Sequence, residues 1–295
     1  MSLSLAQLVI YPVKSLGAVS VPEAVLEAGG LRHDRRFMLV TPSADGQTGE
    51  FITQRTTPQM ALIGVDFDPQ TNTLHVWHRH HPDQVLTLPL TPNPSPETLA
   101  VSIWDSHEVP AQAGFPEADA WFSRVLGRAC RLVYMPPATR RAITSGHTLE
   151  QDLANRVVSF ADGFPVLAAT QASLDELNRR VTGKPLLMAR FRPNLVVGGL
   201  CWPHDEDTWG QVQVGNAVFY GVKPCVRCVL TTLDPLTGER GPEPLKTLAT
   251  YRQHDHKILF GENMLPARHS LGQTIRVGDE VVVLARKEPR LPVGV

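Results

Sequence analysis

The strongest chemical signal in the sequence is a pair of cysteines, Cys225 and Cys228, in the segment KPCVRC at 223–228. The proline of this segment interrupts strand pairing, so we expect a loop or a strand end to present both thiols. Lys223 and Arg227 flank them, and neighbouring cations favour the thiolate, the form of cysteine that binds metals or attacks as a nucleophile. The segment therefore predicts a metal or redox site, and two buried, inert cysteines near a turn are the alternative.

A structural zinc site is a second interpretation of the same cysteines. Cys201 and His204 have C-x-x-H spacing, and with the C-x-x-C pair they supply four ligands in two knuckles. A chain of 295 residues does not need a zinc staple for stability. An iron–sulfur cluster is less favoured, because four cysteines are the usual set and Cys130 has no close cysteine neighbour. Thiol–disulfide exchange also fits poorly, since that motif usually opens a helix and strand-like sequence follows here.

Several basic residues lie beside expected strand ends. Lys14 and Ser15 end the first strand, Arg35 precedes the segment RFMLV, Arg55 follows FITQ, and Arg192 precedes LVVGG. Cations with a neighbouring hydroxyl can hold a phosphate or another anion through charge-assisted hydrogen bonds. Each of them alone is an ordinary surface residue, so they form a site only if the fold brings them together.

A histidine-rich stretch offers a further metal-site candidate. It contains His75, His78, His80 and His81. Strand alternation places the first of these on one face and the next two on the other. No cysteine or carboxylate stands at a fitting spacing before Asp83. We therefore interpret the stretch as a solvated hairpin.

The elements that must position these residues are mostly short strands rich in β-branched and aromatic residues. The expected strands nearest the candidate residues are 6–13, 36–40, 194–197, 217–222 and 229–232. The closing sequence IRVGDEVVVL predicts a hairpin-like strand pair that turns at Gly278 and Asp279.

Two amphipathic helices are expected among the strands. The first covers 118–126, between Pro116 and Gly127, as the preference for proline at the start and glycine at the end predicts. The second begins near Ser173, which has capping-box spacing to Glu176.

Composition and charge restrict the class of protein. Hydrophobic residues make up 42% and charged residues 19%, which is typical of a globular protein, and 25 prolines disfavour long helices. We therefore predict a mainly β fold with a few helices (α+β), built from barrels or sandwiches with helical covers.

The charge balance and the apolar runs also indicate where the protein works. The formal charge of -1 gives no basic excess for nonspecific binding of nucleic acid. No apolar run approaches the ~18–20 residues of a membrane span. The first positive charge, Lys14, follows the initial apolar stretch, unlike the charge of a secretory signal. We predict a cytoplasmic protein with neither nucleic acid nor membrane as a partner.

Five segments, in this order, resemble the MOSC family (molybdenum cofactor sulfurase C-terminal domain) with its β-barrel N-terminal partner. They are YPVKS at 11–15, DRRF at 34–37, FRPN at 191–194, EDTW at 206–209 and KPCVRCVLTTLDPLTG at 223–238. Within the family, the chain is most similar to the mitochondrial amidoxime-reducing components and the YcbX-like bacterial proteins. The likeness spans roughly residues 5–285, and its most specific part is the run C-x-R-C-x-x-T-T-x-D-P.

The resemblance implies a division of the chain. An N-terminal MOSC-type β-barrel domain is expected at 1–120 and a MOSC β-barrel domain at 151–286. Residues 121–150 would connect them, and 287–295 would form a tail.

The resemblance also implies the roles of site residues around a molybdenum cofactor, Mo-molybdopterin. Cys228 matches the catalytic position that is the protein ligand to molybdenum. Six further positions lie around the cofactor: Lys14, Ser15, Arg35, Arg192, Asn194 and Arg227. The first four match residues that hold the pterin phosphate or neighbouring polar groups, and the last two match residues close to the cofactor. Cys225, Cys201 and His204 have no metal-binding role in the family.

The activity implied is reduction of N-hydroxylated compounds, namely amidoximes, hydroxylamines and N-hydroxylated nucleobases, with two electrons and two protons consumed and water formed. The resemblance further implies a separate electron-transfer protein, ferredoxin-like or a flavoprotein reductase, because no cysteines for a cluster follow the last expected strands. The alternative is a carrier of the cofactor, or a sulfur-transfer module that uses Cys225 or Cys228 as a persulfide.

Overall fold

The computed structural model describes residues 2–143 and 156–293, and strands are its main elements. The strands are β1 (Leu3–Ile10), β2 (Val19–Ser20), β3 (Glu23–Glu27), β4 (Gly30–Leu31), β5 (Phe37–Pro42), β6 (Thr48–Phe51), β7 (Ile63–Asp68), β8 (Thr73–His78), β9 (His81–Pro89), β10 (Thr98–Ile103), β11 (Ser106–Gln112), β12 (Arg131–Tyr134), β13 (Val166–Thr170), β14 (Leu195–Gly198), β15 (Trp209–Val214), β16 (Ala217–Val226), β17 (Gln253–His254), β18 (Lys257–Pro266), β19 (Thr274–Arg276) and β20 (Glu280–Arg286). The helices are α1 (Pro116–Leu126), α2 (Gln171–Arg180) and α3 (Leu245–Leu248). The prediction of a mainly β fold with a few helices is confirmed.

Two sheets close on themselves. The larger has nine strands, with the order β13-β14-β1-β20-β15-β16-β18-β17 and β2 beside β1, and β13 also pairs with β18. The smaller is a closed barrel with the order β10-β11-β12-β5-β6. Two three-stranded sheets, β19-β3-β4 and β7-β8-β9, complete the fold. The expected β-barrel architecture is therefore present in both halves of the chain.

The first strand of the chain belongs to the sheet that the second half builds. In β1, Leu5 lies opposite Val197 of β14, and Leu3 lies opposite Val281 of β20. Leu5 and Leu8 are completely buried in the core of this sheet. Because β1 ends at Ile10, the barrel delivers the segment YPVKS directly to its rim. The division of the chain by sequence stays a prediction, and the sheets pair across it.

The strand that carries the cysteines is bent by two bulges. The register of β16 against β18 shifts between Gly221 and Lys223 and again between Pro224 and Val226. A Cβ atom on Gly221 would lie 1.8 Å from the carbonyl oxygen of Trp209, so only glycine fits this close approach. Bulges bend a strand and re-aim its side chains, which is how the end of β16 leaves the barrel.

The expected strand at 229–232 is wrong, because Val229–Thr232 form a turn of 3-10 helix. Cys228 caps this turn, and its carbonyl oxygen accepts hydrogen bonds from the Thr231 amide at 3.0 Å and from the Thr231 hydroxyl at 2.9 Å. The Thr232 hydroxyl donates to the Val229 carbonyl at 2.8 Å. Threonine hydroxyls that bond to nearby backbone compete with strand pairing, and β-branching alone did not reveal this.

The expected hairpin at the end of the chain is also wrong in its pairing. The two strands exist, but β19 pairs with β3, whereas β20 pairs with β15 and β1. The turn at Gly278 therefore passes the chain from one sheet to another, where each strand buries its apolar face against different partners.

The two predicted helices are present, but the cap of the second differs. Helix α1 ends at Gly127, which has the left-handed φ of 64°. Helix α2 is capped by Thr170, whose hydroxyl accepts a hydrogen bond from the Ser173 amide at 3.2 Å. The capping box from Ser173 is therefore wrong, because an earlier hydroxyl takes the cap and Glu176 is buried against Arg180 instead.

The connecting segment predicted at 121–150 extends into residues 144–155, which lie outside the described residues. In the part of the chain that the structure describes, no helix is long and apolar enough to cross a membrane.

Candidate functional site

One cleft collects all seven predicted site residues. They are Lys14, Ser15, Arg35, Arg192, Asn194, Arg227 and Cys228. Each lies just before or after a strand or at its end, so the rims of the barrels position them. The cleft has about 790 Å³ of empty space, its open mouth included. Residues that are scattered in the sequence therefore share one concave surface.

Tyr11 organises two of the arginines. The guanidinium carbons of Arg35 and Arg192 lie 4.4 and 4.1 Å from the centre of its buried ring, which is cation–π geometry. The Tyr11 hydroxyl donates to the carbonyl oxygen of Pro193 at 3.1 Å. Burial raises the pKa of Tyr11 to about 12, so the ring stays neutral. Sequence reasoning missed this residue, although it is the first residue of YPVKS.

Hydrogen bonds fix Arg35 from two sides. Its Nη1 donates to the buried Asp34 carboxylate at 2.6 Å and to the Asn194 side-chain oxygen at 3.3 Å. Asn194 also accepts from the Leu167 amide at 3.2 Å and donates to the Val9 carbonyl at 3.1 Å. Asn194 therefore connects the arginine to the strands β1 and β13.

Three of the predicted residues have left-handed backbone conformations. The φ angles are 66° at Ser15, 49° at Arg35 and 55° at Arg192. Such conformations are uncommon for residues other than glycine and cost roughly 1–2 kcal/mol each. Conformations of this kind concentrate at functional sites, where the surrounding structure imposes them. The fold therefore imposes the directions in which these residues project.

A second group of charges lines the cleft opposite the cysteines. Lys14 is buried and donates to the Phe160 carbonyl at 2.7 Å and to the Asp162 carboxylate. Arg55 Nη2 lies 3.5 Å from the same carboxylate, and the Arg55 guanidinium carbon lies 4.2 Å from the centre of the Trp104 ring. Asp162 is about half-exposed and was not among the predicted site residues. No local pattern marks it, because its partners come from distant segments.

Burial and charge shift the pKa values of this group in opposite directions. Burial lowers the pKa of Lys14 to about 8, although Asp162 partly opposes the shift. Burial alone would raise the pKa of Asp162, but Lys14, with help from Arg55, lowers it well below its usual range. The carboxylate is therefore ionised at neutral pH, and Lys14 is the cleft cation that can lose its proton most easily.

The two cysteines have different surroundings within the cleft. Arg227 Nη1 donates to the Cys225 sulfur at 2.9 Å, and Arg227 Nη2 donates to the Phe191 carbonyl at 2.7 Å. Cys228 is partly exposed at the start of the 3-10 turn and also lines the cleft. The Arg227 guanidinium thus engages the first thiol, whereas Cys228 lines the cleft as a partly exposed thiol.

The charge of the cleft fits an anionic ligand. The cations Lys14, Arg35, Arg55, Arg192 and Arg227 outnumber the two carboxylates that contact them, Asp34 and Asp162. Within residues 2–143 and 156–293, Arg55 Nε, Arg192 Nη2 and Arg227 Nε are buried without a hydrogen-bond partner. Buried donors without partners cost free energy, so a ligand rich in acceptor oxygens would complete them. A thiolate beside these donors suits a thiophilic metal that carries an anionic organic ligand.

Zinc does not fit the same residues. Among the described residues, no three His, Cys, Asp or Glu side chains are grouped closely enough to hold a metal ion. Cys201 and His204 therefore do not complete a four-ligand site with Cys225 and Cys228. His80 lies in the turn between β8 and β9, His81 begins β9, and both residues are exposed, in agreement with a solvated hairpin.

Comparison with family models matches most of the chain. Residues 2–129 match the model described as MOSC N-terminal beta barrel domain, and residues 155–282 match the MOSC domain.

Among curated proteins, Mitochondrial amidoxime-reducing component 1 of Mus musculus is 34% identical over 96% of this chain and 83% of its own. Mitochondrial amidoxime reducing component 2 of Homo sapiens is 37% identical over 94% of this chain and 82% of its own. Molybdenum cofactor sulfurase of Oryza sativa subsp. japonica is 30% identical over 94% of this chain, which spans 35% of that longer protein.

Proposed function

This chain belongs to the MOSC family, and on that premise we propose that it is a molybdenum cofactor-dependent reductase of N-hydroxylated compounds. The observation that carries the proposal is that one cleft is lined by Cys228 together with Lys14, Ser15, Arg35 and Arg192. The names of the amidoxime-reducing relatives support the same activity.

Different residues of the cleft would bind the metal and the phosphate end of Mo-molybdopterin. Cys228 would supply the thiolate ligand to the metal, and Lys14, Ser15, Arg35 and Arg192 would hold the phosphate end. When bound, the cofactor supplies a metal centre that can accept the oxygen of an N–O bond and be returned to its reduced state by two electrons.

The protein's own groups keep the ligand's charge in place. Tyr11 supports both guanidinium groups from one ring, so Arg35 and Arg192 approach the ligand without having to order a flexible side chain. Arg227 connects Cys225 to the Phe191 carbonyl and holds the cysteine loop against the segment that carries Arg192. Hydrogen bonds from these fixed donors are stronger in a partly buried cleft than they would be in water.

Substrate, electron donor and location complete the proposal. The substrates are small N-hydroxylated molecules, which the open mouth of the cleft would admit. The electrons come from a separate ferredoxin-like protein or flavoprotein reductase. The cytoplasmic location stays a prediction from the sequence.

A second candidate function is that of a cofactor carrier or a sulfur-transfer module. The similarity to Molybdenum cofactor sulfurase and the accessible, arginine-bound Cys225 favour it. The two functions are separated by expressing the protein in a host that makes the cofactor and measuring bound molybdenum, pterin and turnover. We expect bound cofactor together with reduction of benzamidoxime by dithionite-reduced methyl viologen. Bound molybdenum without turnover of any N-hydroxylated substrate would favour the carrier.

Retention of the cofactor is expected to weaken as the pH rises through about 8, the pKa of Lys14 in the protein. Lys14 attracts a phosphate only while it is protonated, and a bound anion would raise this midpoint somewhat. A charged hydrogen bond contributes about 1.5–3 kcal/mol, so release should be roughly tenfold faster at pH 9.5 than at pH 7. The measurement is the rate of pterin release from the loaded protein at each pH.

The same titration has the opposite sign for folding, which provides a control. The pKa of Lys14 is lower in the folded protein than in the unfolded chain, so the unfolded chain binds the proton more tightly. The contribution of Lys14 to the free energy of unfolding of the empty protein therefore rises with pH between about 8 and 10.5. Faster release at high pH would therefore not reflect unfolding caused by Lys14. In Lys14→Arg the charge persists, and release should lose its pH dependence. A wild-type release rate that does not change over this range would contradict the prediction.

A further inference from the structure

A surface at the mouth of the cleft combines aliphatic side chains with cations. Val226 and Val229, on either side of Cys228 in the sequence, are 48% and 42% exposed. Lys257 and Lys223 lie on the two strands β18 and β16 that end here. These four residues together with Arg290 form what we call the docking face.

The positions of the lysines follow from strand pairing. The Arg227 amide donates to the Ile258 carbonyl at 2.8 Å, so Lys257, one residue earlier, lies beside the end of the cysteine segment. Lys223 lies opposite Asn263 in the next part of the same ladder. Its ammonium group is 5.1 Å from the centre of the Phe164 ring, at the edge of the cleft.

The docking face concentrates positive charge. Burial lowers the pKa of Lys223, and the neighbouring cations Arg290 and Lys257 lower it further against the opposite effect of Cys225, so each of the two cations is close enough to repel Lys223. The exposed Asp255, in the turn before Lys257, lies 3.3 Å from His254. Repulsion among cations that persists at a surface is relieved when an acidic partner binds.

We propose that the docking face binds an acidic electron-transfer protein, with Val226 and Val229 at the centre of the contact and Lys223, Lys257 and Arg290 at its rim. The inference rests on the proposed function, because that reaction needs a reductant from outside the chain. A small aliphatic centre with a charged rim suits a transient encounter, in which opposite charge sets the association rate.

The electron balance sets the number of encounters in each turnover. Cleavage of the N–O bond of an amidoxime consumes two electrons and two protons and yields an amidine and water. A one-electron donor such as a reduced ferredoxin is oxidised once in each encounter, so two donors must dock per turnover. Fast association and fast release are therefore both required, which a small interface allows.

The experiment compares two sources of electrons for the cofactor-loaded protein. An acidic two-iron ferredoxin, kept reduced by its reductase, and dithionite-reduced methyl viologen each drive benzamidoxime reduction in the wild type, Lys257→Glu and Arg124→Glu. Arg124 is an exposed cation on α1 and serves as the matched charge-reversal control. Binding of oxidised ferredoxin is measured separately as a dissociation constant.

Lys257→Glu should lose at least about tenfold in kcat/KM for ferredoxin at low ionic strength, and the difference should shrink at about 0.5 M salt. Its viologen-driven rate should stay within about twofold of the wild type, and its dissociation constant for ferredoxin should rise at least tenfold. Unchanged ferredoxin kinetics and binding, or equal losses with both reductants, would overturn the docking proposal. A wild type that viologen cannot drive would instead refute the reductase, and the binding measurement would still decide whether the face recognises the donor.

Discussion

Cys228→Ala is expected to remove reductase activity and to leave the purified protein with little molybdenum. Cys228 lines the charged cleft and is the proposed thiolate ligand to the metal. Loss of an outer-shell partner of a metal ligand already costs roughly 10–100-fold, so loss of the ligand itself should lower turnover by more than a hundredfold. Elemental analysis and benzamidoxime reduction with a chemical reductant measure the two effects.

The matched control is Cys225→Ala, which removes the other thiol of the same loop. Cys225 accepts a hydrogen bond from Arg227, so its loss should loosen the loop and reduce activity only moderately. Because Cys225 and Cys228 are both partly exposed, both variants should unfold within about 1 kcal/mol of the wild type. Equal activity in Cys228→Ala and the wild type would end the assignment of the metal ligand.

Arg192→Ala is expected to lower the pterin content of the protein while leaving its fold nearly intact. The guanidinium has a buried donor without a partner, and its protein contacts are the Leu16 carbonyl at 2.8 Å and the Tyr11 ring. A hydrogen bond to a charged group contributes about 1.5–3 kcal/mol, which corresponds to roughly 10–100-fold weaker retention. Pterin analysis after gel filtration, together with the melting temperature, separates the loss of ligand from the loss of stability.

Arg35→Ala should weaken retention of the pterin, as Arg192→Ala does, but it should also destabilise the fold. Arg35 neutralises the buried Asp34, so its removal leaves an unpaired carboxylate and should destabilise the fold as well as weaken retention. Arg128→Ala is the control outside the cleft, since the Arg128 guanidinium donates to the hydroxyls of Thr41 and Thr57. Unchanged pterin content in both Arg192→Ala and Arg35→Ala would refute the phosphate-binding role.

The sequence was informative about the identity of the site residues and much less so about what holds them. Strand-end cations and the C-x-R-C run pointed to residues that do line one cleft, because motifs keep their residue types close together in the chain. Tyr11 and Asp162 were missed, because their importance depends on partners from distant segments. The ring of Tyr11 matters only once Arg35 and Arg192 reach it.

Local reasoning also failed where two local preferences compete. Val229–Thr232 has strand-forming side chains, but its threonine hydroxyls bond to backbone three residues earlier and produce a turn. The closing strands were identified correctly, whereas their partners were not, since pairing is decided by which sheet offers a buried face. Backbone strain at Ser15, Arg35 and Arg192 is likewise invisible in the sequence.

The place of β1 between β14 and β20 has a consequence for synthesis of the protein. β1 leaves the ribosome before β14 and β20, and β20 follows only after most of the chain has been made. During most of that time the apolar residues of β1 have no native cover, and a strand with open edges is prone to pair wrongly. Lys14 and Cys228 come from distant parts of the chain, so the cleft that both residues line is complete only after Cys228 has been made, and binding of the cofactor is expected to follow synthesis of most of the chain.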